Sequence, residues 1–217
     1  MGDISKIILT DYLKSSDDPN FFSIPMAVII LLFILSYVAG SINFSILLFK
    51  FLGKGDPRDK FSGNAGATNV YRQAGISWAI VVLVFDMGRA VGVALISSVL
   101  LPQNYVPLIG FGLILGNRFP CFHGFKGGKG VANYFGFTAA LTPISAIISG
   151  LVWVAVYAFL RVPFISSFCM VSILAAGTLI DYNSHPMAIS GVLITAIFIY
   201  ISHSQNIIER IRSKDVS

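Results

Sequence analysis

The stretch 76–101, ISWAIVVLVFDMGRAVGVALISSVLL, is long and apolar enough to cross a lipid bilayer as one helix. A transmembrane helix needs roughly 17–25 residues, and the only ionisable residues in this run are Asp86 and Arg89. The whole chain of 217 residues is also strongly apolar, since 55% of its residues are hydrophobic and only 12% are charged. Soluble domains have about 25% charged residues. The sequence therefore predicts an all-α integral membrane protein.

Seven apolar segments are separated by polar or glycine-rich stretches. Their approximate bounds are 24–49, 76–101, 106–122, 131–141, 143–160, 163–180 and 187–201. The fourth segment is short for a complete span, and Pro143 separates it from the fifth. These two segments could instead form one helix kinked at the proline, which would give six spans rather than seven.

The distribution of basic residues favours seven transmembrane helices. With seven, the basic residues that follow the first, third and fifth segments share one side with those of the tail. The positive-inside rule assigns this side to the cytoplasm, which places the N-terminus outside. With six, the tail's Arg210, Arg212 and Lys214 would lie outside, against the rule. The predicted parts are a polar N-terminal extension (1–23), a single polytopic membrane domain (24–202) and a cytoplasmic tail (203–217).

The first of three polar clusters on the predicted cytoplasmic face is the loop 62–72, SGNAGATNVYR. Its glycines allow the backbone to turn tightly and to bring N–H groups close to a ligand. Its polar side chains add donors, and its arginine presents a planar fork suited to phosphate or carboxylate. This composition is typical of an anion-binding loop. The candidate binding residues are Ser62, Gly63, Asn64, Gly66, Thr68, Asn69 and Arg72.

The second cluster comprises residues 116–120, GNRFP, and residues 125–130, FKGGKG. Its KGGKG run immediately precedes a predicted helix. A glycine-rich backbone at a helix N-terminus favours anion binding, and each lysine adds a point charge. The run lacks the pattern of a nucleotide-binding P-loop, and a flexible cationic loop on anionic lipid head groups is the alternative. A second glycine-rich loop on the same face favours the binding interpretation. The candidates are Lys126, Gly127, Gly128, Lys129 and Gly130.

The third cluster contains His203 and Asn206, which would share one helix face if the last apolar helix continues. A histidine at a membrane boundary is often only an interfacial residue, but its position beside two anion-binding loops favours a role in catalysis. Elsewhere, the spacing of Asp86 and Arg89 permits an ion pair within a membrane helix. That pair would either hold helices together or orient a residue of the site.

The three clusters together resemble the bacterial PlsY family of acyl-phosphate:glycerol-3-phosphate acyltransferases. The first cluster matches that family's SGNxGATNxxR pattern, residues 119–130 match FPxFxxFKGGKG, and the third cluster matches the HxxN core. Asp56 and Arg58 also stand where the family tends to carry these residue types. The resemblance extends over about residues 36–210.

Three positions depart from the family pattern. Phe61 stands where a glycine is usual, and Asn117 stands where a histidine usually follows Gly116. Glu209 stands where the pattern expects an arginine, which here comes one residue later. The two glycine-rich loops are intact, so the resemblance implies that phosphate binding is retained.

The resemblance implies a seven-helix enzyme of the bacterial inner membrane with its active site facing the cytoplasm. It would transfer an acyl group from acyl phosphate to the sn-1 hydroxyl of glycerol 3-phosphate, the first step of phospholipid synthesis. Neither acyl-CoA nor a metal or other cofactor is implied, and membrane lipids are the remaining partners, with no nucleic acid and no obligatory protein partner. The candidate catalytic residues are Ser62, Arg72, Lys129, His203 and Asn206.

Other interpretations of the same loops stay open at this level. A membrane transporter of a phosphorylated metabolite would also need anion-binding loops. An intramembrane hydrolase could use Ser62 and His203 on lipid phosphates. The departures from the family pattern also allow a divergent member with weak or no activity.

Overall fold

The computed structural model describes residues 25–182 and 185–214, and the predicted N-terminal extension lies outside the described residues. The described part is helical and contains no strand, so the predicted all-α class is confirmed. Short 3₁₀ turns occupy Pro57–Asp59 and Gln103–Tyr105. The α-helices are α1 (Met26–Ser41), α2 (Phe44–Phe51), α3 (Ala67–Ala74), α4 (Ile76–Leu100), α5 (Val106–Arg118), α6 (Val131–Leu141), α7 (Pro143–Leu160), α8 (Pro163–Asp181), α9 (Pro186–Ile201) and α10 (Ser204–Lys214).

Within the part of the chain that the structure describes, four helical stretches are long and apolar enough to cross a membrane: Met26–Phe51, which joins α1 to α2, and the helices α4, α7 and α8. A fifth candidate is formed if α9 and α10 count as one bent span. Helices α5 and α6 contain 13 and 11 residues, so each is only about 15–20 Å long. The span number and the orientation of the termini therefore remain predictions.

The junction between α6 and α7 bears on the alternative with six spans. Thr142 leaves the helical conformation between the two helices (φ −133°, ψ 70°), and Pro143 occupies the first turn of α7. A proline is tolerated at that position because its missing N–H would have no partner inside the helix anyway. Pro143 therefore begins a new helix and does not kink a continuous one.

Helix α5 lies at the centre of the molecule and is packed most closely by α1. A Cβ atom added at Gly116 of α5 would lie 2.0 Å from the carbonyl oxygen of Tyr37, and one at Gly40 of α1 would lie 2.1 Å from that of Leu113. Small residues at such crossings let membrane helices approach closely. This packing fixes the C-terminal end of α5, from which the second glycine-rich loop departs.

Candidate active site

The three polar clusters meet around one open cavity of about 1200 Å³. All five candidate catalytic residues line this cavity, although they come from three separate parts of the sequence. Gly63, Lys126 and Gly127 are not among the lining residues. The candidates that line it are Ser62, Asn64, Gly66, Thr68, Asn69, Arg72, Gly128, Lys129, Gly130, His203 and Asn206.

The first loop is shaped by glycine and held by a buried asparagine. Gly63 has φ +61°, which L-residues rarely adopt, and Gly66 precedes α3 with an extended backbone. The Nδ2 of Asn69 donates to the carbonyl oxygens of Pro57 at 2.7 Å and of Lys60 at 3.3 Å. Its amide nitrogen therefore holds the loop, whereas its buried Oδ1 has no hydrogen-bond partner among the described residues.

Phe61, at the edge of the first loop, has a backbone that explains why a glycine is usual there. Its φ is +55°, in the left-handed region that costs an L-residue about 1–2 kcal/mol. Its side chain is exposed and lines the cavity. This chain therefore accepts local strain and places an aromatic ring at the cavity's rim.

The second loop folds back over the end of α5. The N–H of Gly127 donates to the carbonyl of Arg118 at 3.1 Å, and the N–H of Gly128 donates to that of Asn117 at 2.9 Å. The N–H of Ala65 in the first loop donates to the carbonyl of Gly127 at 3.4 Å. The two glycine-rich loops are thus joined directly, and both are tied to one buried helix.

Arg58 ties the same region together from outside the cavity. Its guanidinium pairs with Asp56 at 2.5 Å and donates from Nη1 to the carbonyl oxygens of His123 and Lys126, each at 2.7 Å. The hydrogen bonds from Arg58 lower the pKa of the Asp56 carboxyl, so it stays charged at neutral pH. The side chain of Lys126 is exposed, which accounts for its absence from the cavity wall.

The third cluster lies at a break between helices. The condition that the last apolar helix continues is not met, because α9 ends at Ile201 and α10 follows at an angle of 44°. His203 lies in this break beyond the apolar helix, is 4% exposed, and has its Nδ1 2.9 Å from the carbonyl oxygen of Ile199. The Nζ of Lys129 contacts the Oδ1 of Asn206, which joins the second and third clusters.

The environment of His203 decides its protonation. Burial lowers its pKa to about 4, and the nearby positive charges of Lys129 and Arg118 also lower it. The imidazole is therefore neutral at pH 7. Because the Ile199 carbonyl can only accept, Nδ1 carries the proton and Nε2 is the acceptor of this tautomer.

The predicted pair of Asp86 and Arg89 is confirmed, with 2.9 Å between Nη2 and Oδ1. Arg89 also donates to the Oδ1 of Asn133 on α6 at 2.5 Å and to the carbonyl of Ile42. Ile42 lies where α1 ends and α2 has not begun. The pair therefore joins α4 to α6 and to the break in the first apolar segment.

Sequence reasoning missed one wall of the cavity. Trp153, Tyr157 and Arg161 of α7 and its C-terminal cap all line it, and the two rings stack with centroids 5.2 Å apart. The signal was present in the sequence, since residues spaced four apart share a helix face. Asn117 and Asn133 also line the cavity. Within residues 25–182 and 185–214, no group of three or more His, Cys, Asp or Glu side chains could hold a metal ion.

The chain matches a known protein family over most of its length. The family described as glycerol-3-phosphate acyltransferase matches residues 30–213. The chain belongs to this family. Proteins named glycerol-3-phosphate acyltransferase include one from Neisseria meningitidis serogroup A, 31% identical over 83% of this chain and 92% of its own. Those from Halalkalibacterium halodurans and Anaeromyxobacter dehalogenans are 34% and 36% identical, each over 82% of this chain and over 89% and 92% of their own.

Two solved structures share the fold. They are crystal structures of PlsY (YgiH), an integral membrane glycerol 3-phosphate acyltransferase, in a glycerol 3-phosphate form and a lysophosphatidic acid form. The TM-scores are 0.78 and 0.75 at 30% and 29% identity, covering 86% of this chain and 93% of theirs. The resemblance to the PlsY family and the membrane-protein class are thereby confirmed.

Proposed function

We propose that this chain transfers an acyl group from acyl phosphate to the sn-1 hydroxyl of glycerol 3-phosphate, giving lysophosphatidic acid and phosphate. One observation carries this proposal: the three motif clusters of a member of the glycerol-3-phosphate acyltransferase family line a single cavity with Arg72 and Lys129 in its wall. Family membership favours this reaction over transport of a phosphorylated metabolite. The protein would act in the bacterial inner membrane, with the cavity open to the cytoplasm.

The charged residues of the cavity suit two substrates that both carry phosphate. In this proposal, Arg72, Lys129 and the hydroxyl of Ser62 bind phosphoryl oxygens, helped by backbone N–H groups of the glycine-rich loops. Fixed donors around a developing negative charge stabilise a transition state more than water does, because they need no reorganisation. The charge of Lys129 would also stabilise phosphate as it leaves.

The acyl transfer itself needs no covalent enzyme intermediate. The sn-1 hydroxyl oxygen attacks the acyl carbonyl carbon, the bond between that carbon and the phosphate oxygen breaks, and an ester forms. Acyl phosphate is already an activated donor, so positioning of the hydroxyl is the main requirement. Well-oriented reactants gain several kcal/mol from this effect alone.

The proton of the hydroxyl has to leave during the attack. We propose that a phosphoryl oxygen of the leaving group accepts it, because His203 is a weak base in its buried site. The Nε2 of His203 would accept a hydrogen bond from a hydroxyl group of glycerol 3-phosphate. Asn206, which is held by its contact with Lys129, would help to position the same substrate.

The experiment uses membranes that carry the protein, labelled glycerol 3-phosphate and palmitoyl phosphate. Labelled lysophosphatidic acid is expected, with a loss of at least about a hundredfold in Arg72→Ala and Lys129→Ala. Lys54→Ala is the matched control, since it removes an exposed cation that does not line the cavity. Uptake of label without product would favour a transporter, and equal activity with palmitoyl-CoA alone would contradict the proposed donor.

A further inference from the structure

Asn117 is the last buried polar residue of α5 and is enclosed by the second loop. It is 3% exposed, and it lines the cavity. Its backbone carbonyl accepts from the N–H of Gly128 at 2.9 Å, and its side-chain Oδ1 accepts from the N–H of Gly130 at 3.1 Å. Asn117 therefore holds both ends of the Gly-Lys-Gly segment that presents Lys129.

These contacts fix the orientation of the Asn117 amide group. The N–H of Gly130 can only donate, so the oxygen of the amide must face it and the nitrogen must face away. A Cβ atom at Gly128 would lie 2.6 Å from Oδ1, so the loop packs against the oxygen side. Rotating the amide would place a donor against a donor and leave the Gly130 N–H unpaired.

The nitrogen of the same amide is left with nothing to donate to. Over the described ranges 25–182 and 185–214, the Asn117 side chain makes one hydrogen bond, through Oδ1, and none through Nδ2. Nδ2 keeps some accessible surface, since it is not among the side-chain atoms that are both fully buried and unpaired. The residue is almost completely buried and the cavity is the space that it lines. Nδ2 is therefore a fixed donor that a ligand in the cavity can reach.

We propose that Asn117 Nδ2 donates a hydrogen bond to a phosphoryl oxygen of a bound substrate while Oδ1 holds the second loop. A phosphoryl oxygen is the fitting acceptor, because Arg72 and Lys129 line the same cavity and favour an anion there. The inference rests on the proposed function, since it takes the anion to be glycerol 3-phosphate or acyl phosphate. It gives the asparagine that replaces the family's usual histidine a direct role in binding.

The variant Asn117→Asp separates the two roles of this side chain. It keeps the shape and an oxygen that can accept from Gly130, but it replaces the donor with part of a carboxylate that repels phosphoryl oxygens. We expect the KM for one substrate to rise at least about tenfold. A rise for glycerol 3-phosphate or for palmitoyl phosphate identifies which phosphoryl group is bound. Values within about twofold of the wild type for both substrates, in a folded variant, would overturn the inference.

Stability must be separated from binding. Ser36→Ala is the matched control, because it removes a buried hydrogen bond from Ser36 Oγ to the Ile109 carbonyl (2.8 Å) within the same α1–α5 packing and away from the loops. It should lower the thermal midpoint in detergent without raising either KM. If Asn117→Asp does not accumulate, Asn117→His and Asn117→Leu replace it. Histidine retains a donor and leucine does not, so equal KM values for these two variants would overturn the inference.

A binding readout keeps this test independent of turnover. Thermal stabilisation of the purified protein by glycerol 3-phosphate alone, and by palmitoyl phosphate alone, is compared for the wild type and Asn117→Asp. If the wild type makes no lysophosphatidic acid, the proposed function fails. The proposed Asn117 contact would still be supported if the ligand concentration for half-maximal stabilisation rises at least about tenfold in the variant for either ligand. Unchanged stabilisation by both ligands would refute it.

Discussion

The substitution Gly127→Ala tests how the second loop is held. A Cβ atom at this position would lie 2.0 Å from the carbonyl oxygen of Asn117 and 2.7 Å from Cδ of Pro120, whereas ordinary contacts begin at 3.4 Å. The loop must therefore move by about 1.4 Å, the difference between 3.4 and 2.0 Å. That shift breaks the hydrogen bonds of the Gly127 and Gly128 N–H groups, each worth about 1 kcal/mol.

The expected consequence is catalytic, because Lys129 follows two residues later. A displacement of about 1 Å in a positioning element can cost about a hundredfold in rate, so kcat/KM for lysophosphatidic acid formation should fall by about that factor. Gly92→Ala is the control, since a Cβ atom there meets nothing within 4 Å and alanine favours a helix. Its kcat/KM should stay within about threefold of the wild type. A folded Gly127→Ala protein with wild-type kcat and KM would refute this account of the loop.

Three other predictions concern residues that support the site. Arg58→Met should raise the KM for glycerol 3-phosphate, because it removes the contacts with the carbonyls of Lys126 in the second loop and of His123 before it. Asp56→Asn keeps those contacts and should have the smaller effect, so equal KM changes would contradict this. Arg89→Met leaves Asp86 buried without its partner, so the free energy of unfolding should fall by about 3–5 kcal/mol. Adding Asp86→Leu should restore most of this stability. Thermal unfolding in detergent measures both variants, and no recovery in the double variant would argue against the pair. For His203 the pKa of about 4 in the folded protein lies below the ordinary value of 6.5. Unfolding therefore takes up a proton, and the free energy of unfolding falls as the pH drops from 6.5 to 4, by about 2 kcal/mol at pH 5. His203→Gln should show a smaller drop in thermal midpoint from pH 7 to pH 5, and an equal drop would contradict the assignment.

The all-α membrane class could be predicted from the sequence because the length of an apolar segment is a local property of the chain. Each of the seven apolar segments contains a helix, and the spacing of Asp86 and Arg89 was enough to predict their ion pair. The motif clusters also marked part of the cavity wall, including all five candidate catalytic residues, since glycine and polar side chains are unusual in so apolar a chain.

The parts that could not be predicted depend on tertiary contacts. The break at Ile42 is held by Arg89 from another helix. The bend before Ser204 could not be predicted either, because no proline or glycine lies near it in the sequence. Nothing near Asn117 in the sequence indicates that its amide would be fixed by Gly130. Asn69 was predicted to bind substrate and does line the cavity, but the role of its side-chain nitrogen in holding the loop was not visible in the sequence.

The most direct measurement of the central proposal is product analysis with the purified protein alone. Glycerol 3-phosphate and palmitoyl phosphate are added in detergent or vesicles, and lysophosphatidic acid and released phosphate are quantified by mass spectrometry and a phosphate assay. The account predicts equal amounts of phosphate and of product acylated at the sn-1 position, and neither above background in Arg72→Ala. Phosphate release without acylated product, or no reaction by a folded wild-type protein, would contradict it.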